Sequence, residues 1–245
     1  MPLVDGMKIV IATPFYEMKG WSPYIKSLVT TVWFLTKHTP IEVEFWPLSG
    51  DSYVERARNT IANLFMESEH THLIFIDSDM EWDIEGFTKL LAADVDVVGA
   101  GYPCKNTWDF YGVLPYGQRL EDGKDDGHVE VNEQGLIRAW GVPTGFMKIK
   151  KEVFKKLAEK EPENYYMIQN KDDKEPHKVF NFFGRIPPLG EDISFCRRWA
   201  GIGGDLWIEP RITLLHYGVK GWEGNYHEHL MKLPGGSKDP NRVTA

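Results

Sequence analysis

Apolar runs and helical patterns alternate along roughly the first hundred residues of the chain. The run from Lys8 to Thr13 is rich in β-branched residues and ends at Pro14, which is typical of a buried first strand. Pro23 follows Ser22 at the start of the first helical pattern, a preferred position for proline. The other predicted strands cover residues 41–46, 73–76 and 95–100, and the other predicted helices cover 52–67 and 84–92. This alternation favours an α/β fold with a mostly parallel central sheet flanked by helices.

The pattern changes in the second half of the chain. Residues 103–135 and 160–190 are rich in turn-forming residues and predict long loops. The predicted elements here are strands over 146–149, 206–208 and 212–215, a helix beginning at Lys151 and a helix over 192–199. We therefore predict one domain over residues 1–233, divided into halves 1–101 and 102–233, and a flexible tail over 234–245.

Composition narrows the class of protein. A formal net charge of -8 argues against general nucleic-acid binding, which needs a basic surface. Cys104 and Cys196 lie far apart in sequence, and we expect both to be reduced thiols. The first residues lack the pattern of a signal peptide, and no segment approaches the roughly 20 apolar residues of a membrane helix. The sequence as given therefore predicts a soluble, cytoplasmic protein.

The strongest local signal is the acidic turn Asp77-Ser78-Asp79. Four apolar residues of the predicted third strand lead directly into it. Ligands bind beyond the carboxyl ends of the strands in open α/β sheets. Two carboxylates on a tight turn can hold a divalent cation and leave positions open for a diphosphate. A solvated turn would also contain aspartates, but the position at the end of a strand favours the cation site.

The order of the motifs resembles that of a GT-A fold glycosyltransferase. These motifs are IATPFY after the first strand, RARN on the second helix, then IDSD, PTGFM, GEDISFCRRW and LLHYG. The resemblance covers roughly residues 8 to 218 and is closest to the small inverting, family-two-like enzymes of bacteria and large viruses. It implies a Rossmann-like GT-A fold, a nucleotide-sugar donor bound by residues 1–101, and a carbohydrate or glycan acceptor on the side of residues 102–233. UDP is the preferred nucleotide, and Mn²⁺ or Mg²⁺ the expected cofactor.

The resemblance also implies a third metal ligand beside Asp77 and Asp79. His216 follows a predicted strand and matches the late histidine that completes the metal site in GT-A enzymes. Carboxylates combined with an imidazole suit Mn²⁺ better than Mg²⁺. The alternative is a histidine at the edge of a sheet without a ligand.

Glu191 and Asp192 precede a predicted amphipathic helix. Asp192 is suited to cap that helix, and Glu191 to stabilise its positive end. In the family the second acidic residue of this motif is the catalytic base, a role that maps to Asp192. It would accept the proton of the acceptor hydroxyl during a direct displacement, which gives inversion. Glu191 would then orient the acceptor or a sugar hydroxyl.

Two arginines on the second helix have different predicted roles. Arg56 and Arg58 are two residues apart and cannot share a helix face. Arg58 matches the family position that points into the site, whereas a surface ion pair with Asp51 or Glu55 is more probable for Arg56. The other predicted nucleotide contacts are Thr13, Pro14, Tyr16 and Asp51.

Two residues are candidates for contacts with the substrates. Gly145 would let the backbone pass close to the donor sugar, although a simple turn explains it equally well. Trp222 lies in a polar segment rich in aromatic residues and is the best candidate for stacking on the acceptor.

Three other functions fit parts of the pattern. A phosphotransferase of the haloacid dehalogenase type also uses an Asp-x-Asp motif, but normally after the first strand, whereas Asp77 follows the third. A nucleotidyltransferase would need a glycine-rich, basic loop where this chain has TPFYEMKG. A nucleotide-sugar-binding module without catalysis would bind nucleotide and show no turnover.

Overall fold

The computed structural model describes residues 6–105, 114–115, 129–169, 174–218 and 221–232. The strands are β1 Lys8–Phe15, β2 Glu42–Ser49, β3 His72–Ile76, β4 Met80–Trp82, β5 Val97–Gly99, β6 Leu114–Pro115, β7 Ile137–Gly141, β8 Phe146–Lys150, β9 Tyr165–Ile168, β10 His177–Phe180, β11 Trp207–Ile208, β12 Thr213–Tyr217 and β13 Gly221–Asn225. The helices are α1 Ser22–His38, α2 Val54–Glu67, α3 Ile84–Ala92, α4 Lys151–Lys160, α5 Glu191–Gly201 and α6 Tyr226–Lys232. No helix of the described part of the chain is long and apolar enough to cross a lipid bilayer.

The main sheet has the strand order β2-β1-β3-β8-β5-β11-β7-β6. Strand β1 pairs in parallel with β2 and β3, and β5 pairs in parallel with β11. These strands confirm the predicted mixed α/β fold with a mostly parallel sheet. Strand β8 lies between β3 and β5 and runs antiparallel to both, which the sequence pattern did not reveal. The carboxyl ends of β1, β2, β3 and β5 nevertheless meet at one edge of the sheet.

Helices cover both faces of the main sheet. Alternate residues of β1 point to opposite sides, so that Val10 and Ala12 belong to one apolar cluster and Ile9 and Ile11 to the other. The first cluster contains side chains of α2, α4 and α5, and the second contains side chains of α1 and α3. A sheet buried on both faces explains why its strands are continuous apolar runs.

A second sheet of three strands, in the order β13-β12-β4, lies beyond the end of β3. Strand β4 follows the acidic turn directly and pairs antiparallel with β12, which places His216 opposite Met80. His216 therefore lies within a strand, not after one as predicted, and the pairing brings it beside the turn.

The second half of the chain has more regular structure than the sequence pattern indicates. Strands β9 and β10 form a hairpin within residues 160–190, which we had expected to be loop. Strand β13 and helix α6 occupy most of the segment around Trp222. Both cysteines are free, as expected, and Cys196 is buried. The predicted tail lies outside the described residues, and the domain limits stay predictions.

Candidate active site

The acidic turn is fixed by backbone hydrogen bonds to two other segments. The amide of Trp21 donates to the carbonyl of Ser78 at 3.1 Å, and the amide of Tyr217 donates to the carbonyl of Asp79 at 2.8 Å. Within the turn, the amide of Met80 donates to the carbonyl of Asp77 at 3.1 Å. The residue before α1 and the end of β12 thus hold the backbone of the turn.

Arg58 joins the turn to helix α5. Its side chain is buried, with Nη2 3.1 Å from Oδ1 of Asp77 and Nε 3.4 Å from Oε1 of Glu191. Its guanidinium also lies over the ring of Phe75, 5.6 Å from the ring centre. Burial raises the pKa of Asp77, whereas the charge of Arg58 opposes that shift. One arginine therefore holds two carboxylates together at the floor of the site.

Arg56 and Arg58 point to different sides of helix α2, as we expected for residues two positions apart. Arg56 pairs with Asp51 at 2.7 Å and is about half exposed, whereas Arg58 points inward. The carboxylate of Asp51 also accepts a hydrogen bond from the amide of Tyr53 at 2.9 Å. Asp51 still lines the pocket described below, so that a base could contact it from the open side.

Asp79 has an unusual set of neighbours. Its Oδ2 accepts a hydrogen bond from the ammonium of Lys105, and its Oδ1 lies 3.7 Å from Nε2 of His216. Oδ1 is buried and has no hydrogen-bond partner. A buried carboxylate oxygen without a partner is costly unless a ligand or an ion satisfies it.

The hydrogen bond of His216 defines its protonation pattern. Its Nδ1 lies 2.9 Å from the carbonyl oxygen of Pro103, which can only accept, so Nδ1 is the donor. Burial lowers the pKa of His216, which favours the neutral ring, although the bond to Pro103 and the charge of Asp79 oppose this. In the neutral ring, Nε2 then presents a lone pair toward Asp79. A metal-binding histidine is usually oriented in this way, by a carbonyl or carboxylate at its other nitrogen.

A pocket of about 350 Å³ opens beside the turn, a size that suits a small-molecule ligand. Seven of the predicted site residues line it: Pro14, Tyr16, Asp51, Arg58, Asp77, Ser78 and Asp79. Its acidic and basic lining residues are Asp51, Glu55, Arg58, Asp77, Asp79 and Arg185. Carboxylates outnumber arginines, so a diphosphate would need additional positive charge to bind here.

Thr13 lies beneath this pocket and does not line it. Its side chain is fully buried, and its hydroxyl is hydrogen-bonded to that of Tyr24 at 2.5 Å. The predicted contact between Thr13 and a nucleotide is therefore not supported by its position. The side chain of Trp222 is outside the described part of the structure, whereas its backbone pairs with that of His216 in β12.

Gly145 accommodates a tyrosine in the structure, and its contact with the donor sugar stays a prediction. Its amide donates to the hydroxyl oxygen of Tyr102 at 3.2 Å, and its carbonyl accepts from the amide of Asp77 at 3.1 Å. A Cβ at this position would lie 2.2 Å from the hydroxyl oxygen of Tyr102. The ring of Tyr102 is buried and packs edge-on against His216, with 5.0 Å between ring centres. Gly145 thus lets Tyr102 support the histidine.

We expect Gly145→Ala to lower the free energy of unfolding by about 2 kcal/mol, because the added methyl group must displace a packed ring. Urea denaturation of the two proteins measures this loss. Gly201→Ala is the matched control, since a Cβ there meets no atom within 4 Å, and it should cost nothing. Equal stability of Gly145→Ala and the wild type would contradict the packing role.

Asp192 lies in the first turn of α5 and does not cap the helix. The helix begins at Glu191, its N-cap is Gly190, and no side chain caps it. The carboxylate of Asp192 accepts a hydrogen bond from the amide of Ile193 at 2.7 Å. Burial, together with the charge of Glu191, raises the pKa of Asp192 to about 6. A carboxylate with this pKa is a stronger base than an ordinary aspartate and is still ionised at neutral pH.

Sequence reasoning missed the loop after β5, which contributes Tyr102, the carbonyl of Pro103, and Lys105 to the site. A signal was available, because β5 was predicted and its carboxyl end falls on the same edge of the sheet as the acidic turn.

The described residues contain no group of three or more His, Cys, Asp or Glu side chains placed to hold a metal. Asp79 and His216 come nearest to a metal-binding group. Asp77 does not join them, because its carboxylate is bound by Arg58.

The sequence matches no protein-family model and no curated protein. The structure is similar to that of A197 from STIV, with a TM-score of 0.53 and 18% identity over 86% of each chain. It also matches GalNAc-T7 with UDP, GalNAc and Mn²⁺, with a TM-score of 0.49 and 17% identity over 91% of this chain and 47% of that one. S. aureus TarS 1-349 matches with a TM-score of 0.39 and 12% identity over 91% and 63%.

These comparisons bear on the fold alone. Of these three similarities, the one to A197 has a TM-score above 0.5, and its identity is low. Together with the strand order and the helices on both faces, it supports the GT-A-like fold that the order of motifs implied.

Proposed function

We propose that this protein is a metal-dependent glycosyltransferase that moves a sugar from a nucleotide-diphosphate donor to a hydroxyl acceptor with inversion. The observation that carries the proposal is the pairing of Asp79 with His216. A buried carboxylate oxygen without a hydrogen-bond partner faces an imidazole nitrogen that carries no proton in the neutral ring, at 3.7 Å. Two acceptors this close, with no donor between them, favour a cation as their shared partner.

The side chains at this point fit a divalent cation that binds together with its substrate. Sites for such ions often use one or two protein ligands and complete the coordination shell with phosphate oxygens and water. Asp79 and His216 would be the two ligands, and a carboxylate combined with an imidazole suits Mn²⁺. When bound, the cation would neutralise the diphosphate and stabilise it as the leaving group. Its charge would also offset the excess of carboxylates in the pocket.

The other residues of the pocket support binding of the donor. Pro14 and Tyr16 follow β1 and would contact the base and ribose, and Ser78 leaves room for the phosphates. Asp51 offers an acceptor to the N–H of a base, and UDP is the nucleotide that we propose on the resemblance to the GT-A family. Arg58 would hold Asp77 and Glu191 in place and would not itself contact the donor, because both sides of its guanidinium are engaged.

Asp192 would act as the general base. Its raised pKa keeps it basic enough to take the proton of an acceptor hydroxyl as that oxygen attacks the anomeric carbon. The bond from the anomeric carbon to the diphosphate breaks as the new glycosidic bond forms, and the configuration inverts. Glu191 is bound to Arg58, so we assign it the positioning of that arginine in place of its predicted contact with the acceptor.

A thermal-shift screen of nucleoside diphosphates tests the proposal. UDP with Mn²⁺ should raise the melting temperature more than UDP or Mn²⁺ alone, because stabilisation grows with ligand occupancy and reaches about 2.7 kcal/mol at 100 times Kd. GDP and ADP serve as controls for the base. If no nucleotide stabilises the protein in either condition, the proposed donor site is wrong.

Two alternatives are less well supported. A phosphotransferase would use Asp77 as a nucleophile, but Arg58 holds Oδ1 of this carboxylate and the fold is GT-A-like. A binding module without catalysis would not require a carboxylate of raised pKa next to Glu191, as Asp192 is.

A further inference from the structure

Helix α1 carries a continuous apolar stripe on its solvent-facing side. Trp21, Ile25, Val29 and Trp33 follow one another at intervals of four residues, and each is between 42% and 61% exposed. Side chains four apart lie on the same helix face. Isolated exposed apolar residues are normal, but a contiguous row of large ones marks an interaction surface.

The neighbouring face of α1 is packed in the core. Tyr24, Leu28, Thr31 and Leu35 are buried between the helix and the main sheet. The exposed apolar row therefore lies outside the packed face, where a surface helix ordinarily presents polar residues to water. Since the inner face is packed, only the outer stripe is open to a partner.

The exposed apolar surface is concentrated in this region. Six of the twelve large hydrophobic side chains that are exposed among the described residues lie between Tyr16 and Trp33, so they form one patch. Tyr16 and Met18 extend the stripe at its N-terminal end and are 67% and 75% exposed. Tyr16 also lines the pocket of the candidate active site.

The charge of this region is opposite to that of the protein. Residues 18–40 contain Lys19, Lys26 and Lys37 and no Asp or Glu, in a chain with a net charge of -8. Lys26 is 78% exposed, and Glu81 of β4 is its neighbour at 3.8 Å. The patch is thus apolar and basic, and the residues that give the protein its net negative charge lie outside residues 18–40.

We propose that the outer face of α1 docks on an anionic lipid bilayer. Tryptophans at both ends of an apolar row, with lysines beside it, are typical of helices that lie in the membrane interface. Lysines near the surface are attracted to anionic headgroups, each contributing about 1 kcal/mol. The acidic remainder of the protein is repelled by the same headgroups, which orients α1 toward the bilayer. This proposal does not depend on the proposed catalytic function.

A second copy of the chain fits this apolar stripe less well than an anionic lipid bilayer does. Two α1 helices packed face to face would bring Lys26 and Lys37 of both copies to one interface, and the helix has no acidic residue to pair with them. Anionic lipid supplies the missing negative charge.

Co-sedimentation of the full chain with vesicles tests the proposal. The wild type should bind vesicles of phosphatidylcholine mixed with phosphatidylglycerol more tightly than phosphatidylcholine alone. Val29→Glu should weaken that binding about tenfold or more, because it removes apolar contact at the centre of the stripe and adds a repelled charge. Combined Lys26→Gln and Lys37→Gln should abolish the preference for phosphatidylglycerol.

Leu64→Glu is the matched control, since Leu64 is an aliphatic residue on α2 that is 51% exposed, against 61% for Val29, and lies outside the stripe. This variant should bind as the wild type does. Thermal melting checks that all variants are folded. Failure of the wild type to bind the mixed vesicles, or undiminished binding by folded Val29→Glu, would overturn the proposal. So would a wild-type dimer in light scattering that Val29→Glu dissociates, because the stripe would then belong to a second copy.

Discussion

Replacement of Asp79 by alanine is expected to reduce metal-dependent donor hydrolysis and transfer by about 10³-fold or more. The reason is that Asp79 would supply the carboxylate ligand beside His216, whereas Asp77 is held by Arg58. The fold should survive, because the backbone of the turn is held by the amides of Trp21 and Tyr217 and not by this side chain. Initial rates of nucleotide release with Mn²⁺ and with EDTA measure the effect.

Two further variants separate the loss of the ligand from a loss of packing. Asp79→Asn keeps the shape of the side chain and removes the charge, so its activity should fall nearly as far. Asp205→Asn removes a carboxylate that pairs with Arg138 at the surface, remote from the turn, and should leave the rate unchanged. Full metal-dependent activity of folded Asp79→Ala would show that the proposed centre is wrong.

Asp192→Asn should lower kcat by about 10²- to 10⁴-fold while donor binding is retained, because an amide cannot accept the proton of the acceptor. In the wild type, kcat should rise as the pH increases through about 6 and then level off, since the base is active only when ionised. Transfer assays across the pH range, together with titration of UDP, give both quantities.

The same substitution should stabilise the protein at neutral pH. The pKa of Asp192 is raised from 3.8 to about 6 in the folded state, so its contribution to stability is present in full below 3.8 and is lost as the pH rises through 6. Asparagine remains neutral, and we expect the free energy of unfolding at pH 7.5 to rise by about 2 kcal/mol. Thermal melting at that pH measures the change.

A destabilised Asp192→Asn variant with unchanged transfer would reduce Asp192 to a structural role. Retention of configuration in the product, assigned by NMR, would also remove Asp192 as the base of a direct displacement.

Local sequence patterns were sufficient to predict most elements of the first half of the chain. Strand β1, helix α2 and strand β3 are each marked by apolar periodicity that depends only on neighbouring residues. The same patterns placed Asp77 and Asp79 at the edge of the sheet, because the end of a parallel strand follows from the local structure. They also showed that Arg56 and Arg58 lie on different helix faces, whereas the choice of Arg58 rested on the resemblance to the family.

The parts that were missed depend on contacts between distant segments. Strand β4 is three residues long, and its pairing with β12 sets the approach of His216 to Asp79. A short strand has too few residues for periodicity to identify it. The antiparallel direction of β8 also leaves no local mark, since it is a buried apolar run whichever way it is paired.

Two predicted site residues have neighbours in the structure that local patterns did not reveal. Thr13 ends the predicted first strand, but β1 continues to Phe15, so Thr13 is a buried residue of the sheet bonded to Tyr24. Gly145 meets a tyrosine from the loop after β5, more than forty residues away in sequence. Thr13 thus contacts Tyr24, and Gly145 contacts a tyrosine of the loop after β5. The local sequence around Thr13 or Gly145 predicts neither contact.

The central claim is that Asp79 and His216 bind a divalent cation together with a nucleoside diphosphate. Electron paramagnetic resonance of free Mn²⁺, with and without UDP, tests it most directly. We predict that the wild type with UDP removes more Mn²⁺ from solution than UDP or the protein removes alone, and that Asp79→Ala does not. Equal uptake of Mn²⁺ by Asp79→Ala, or UDP binding to the wild type that is unchanged by EDTA, would contradict the account.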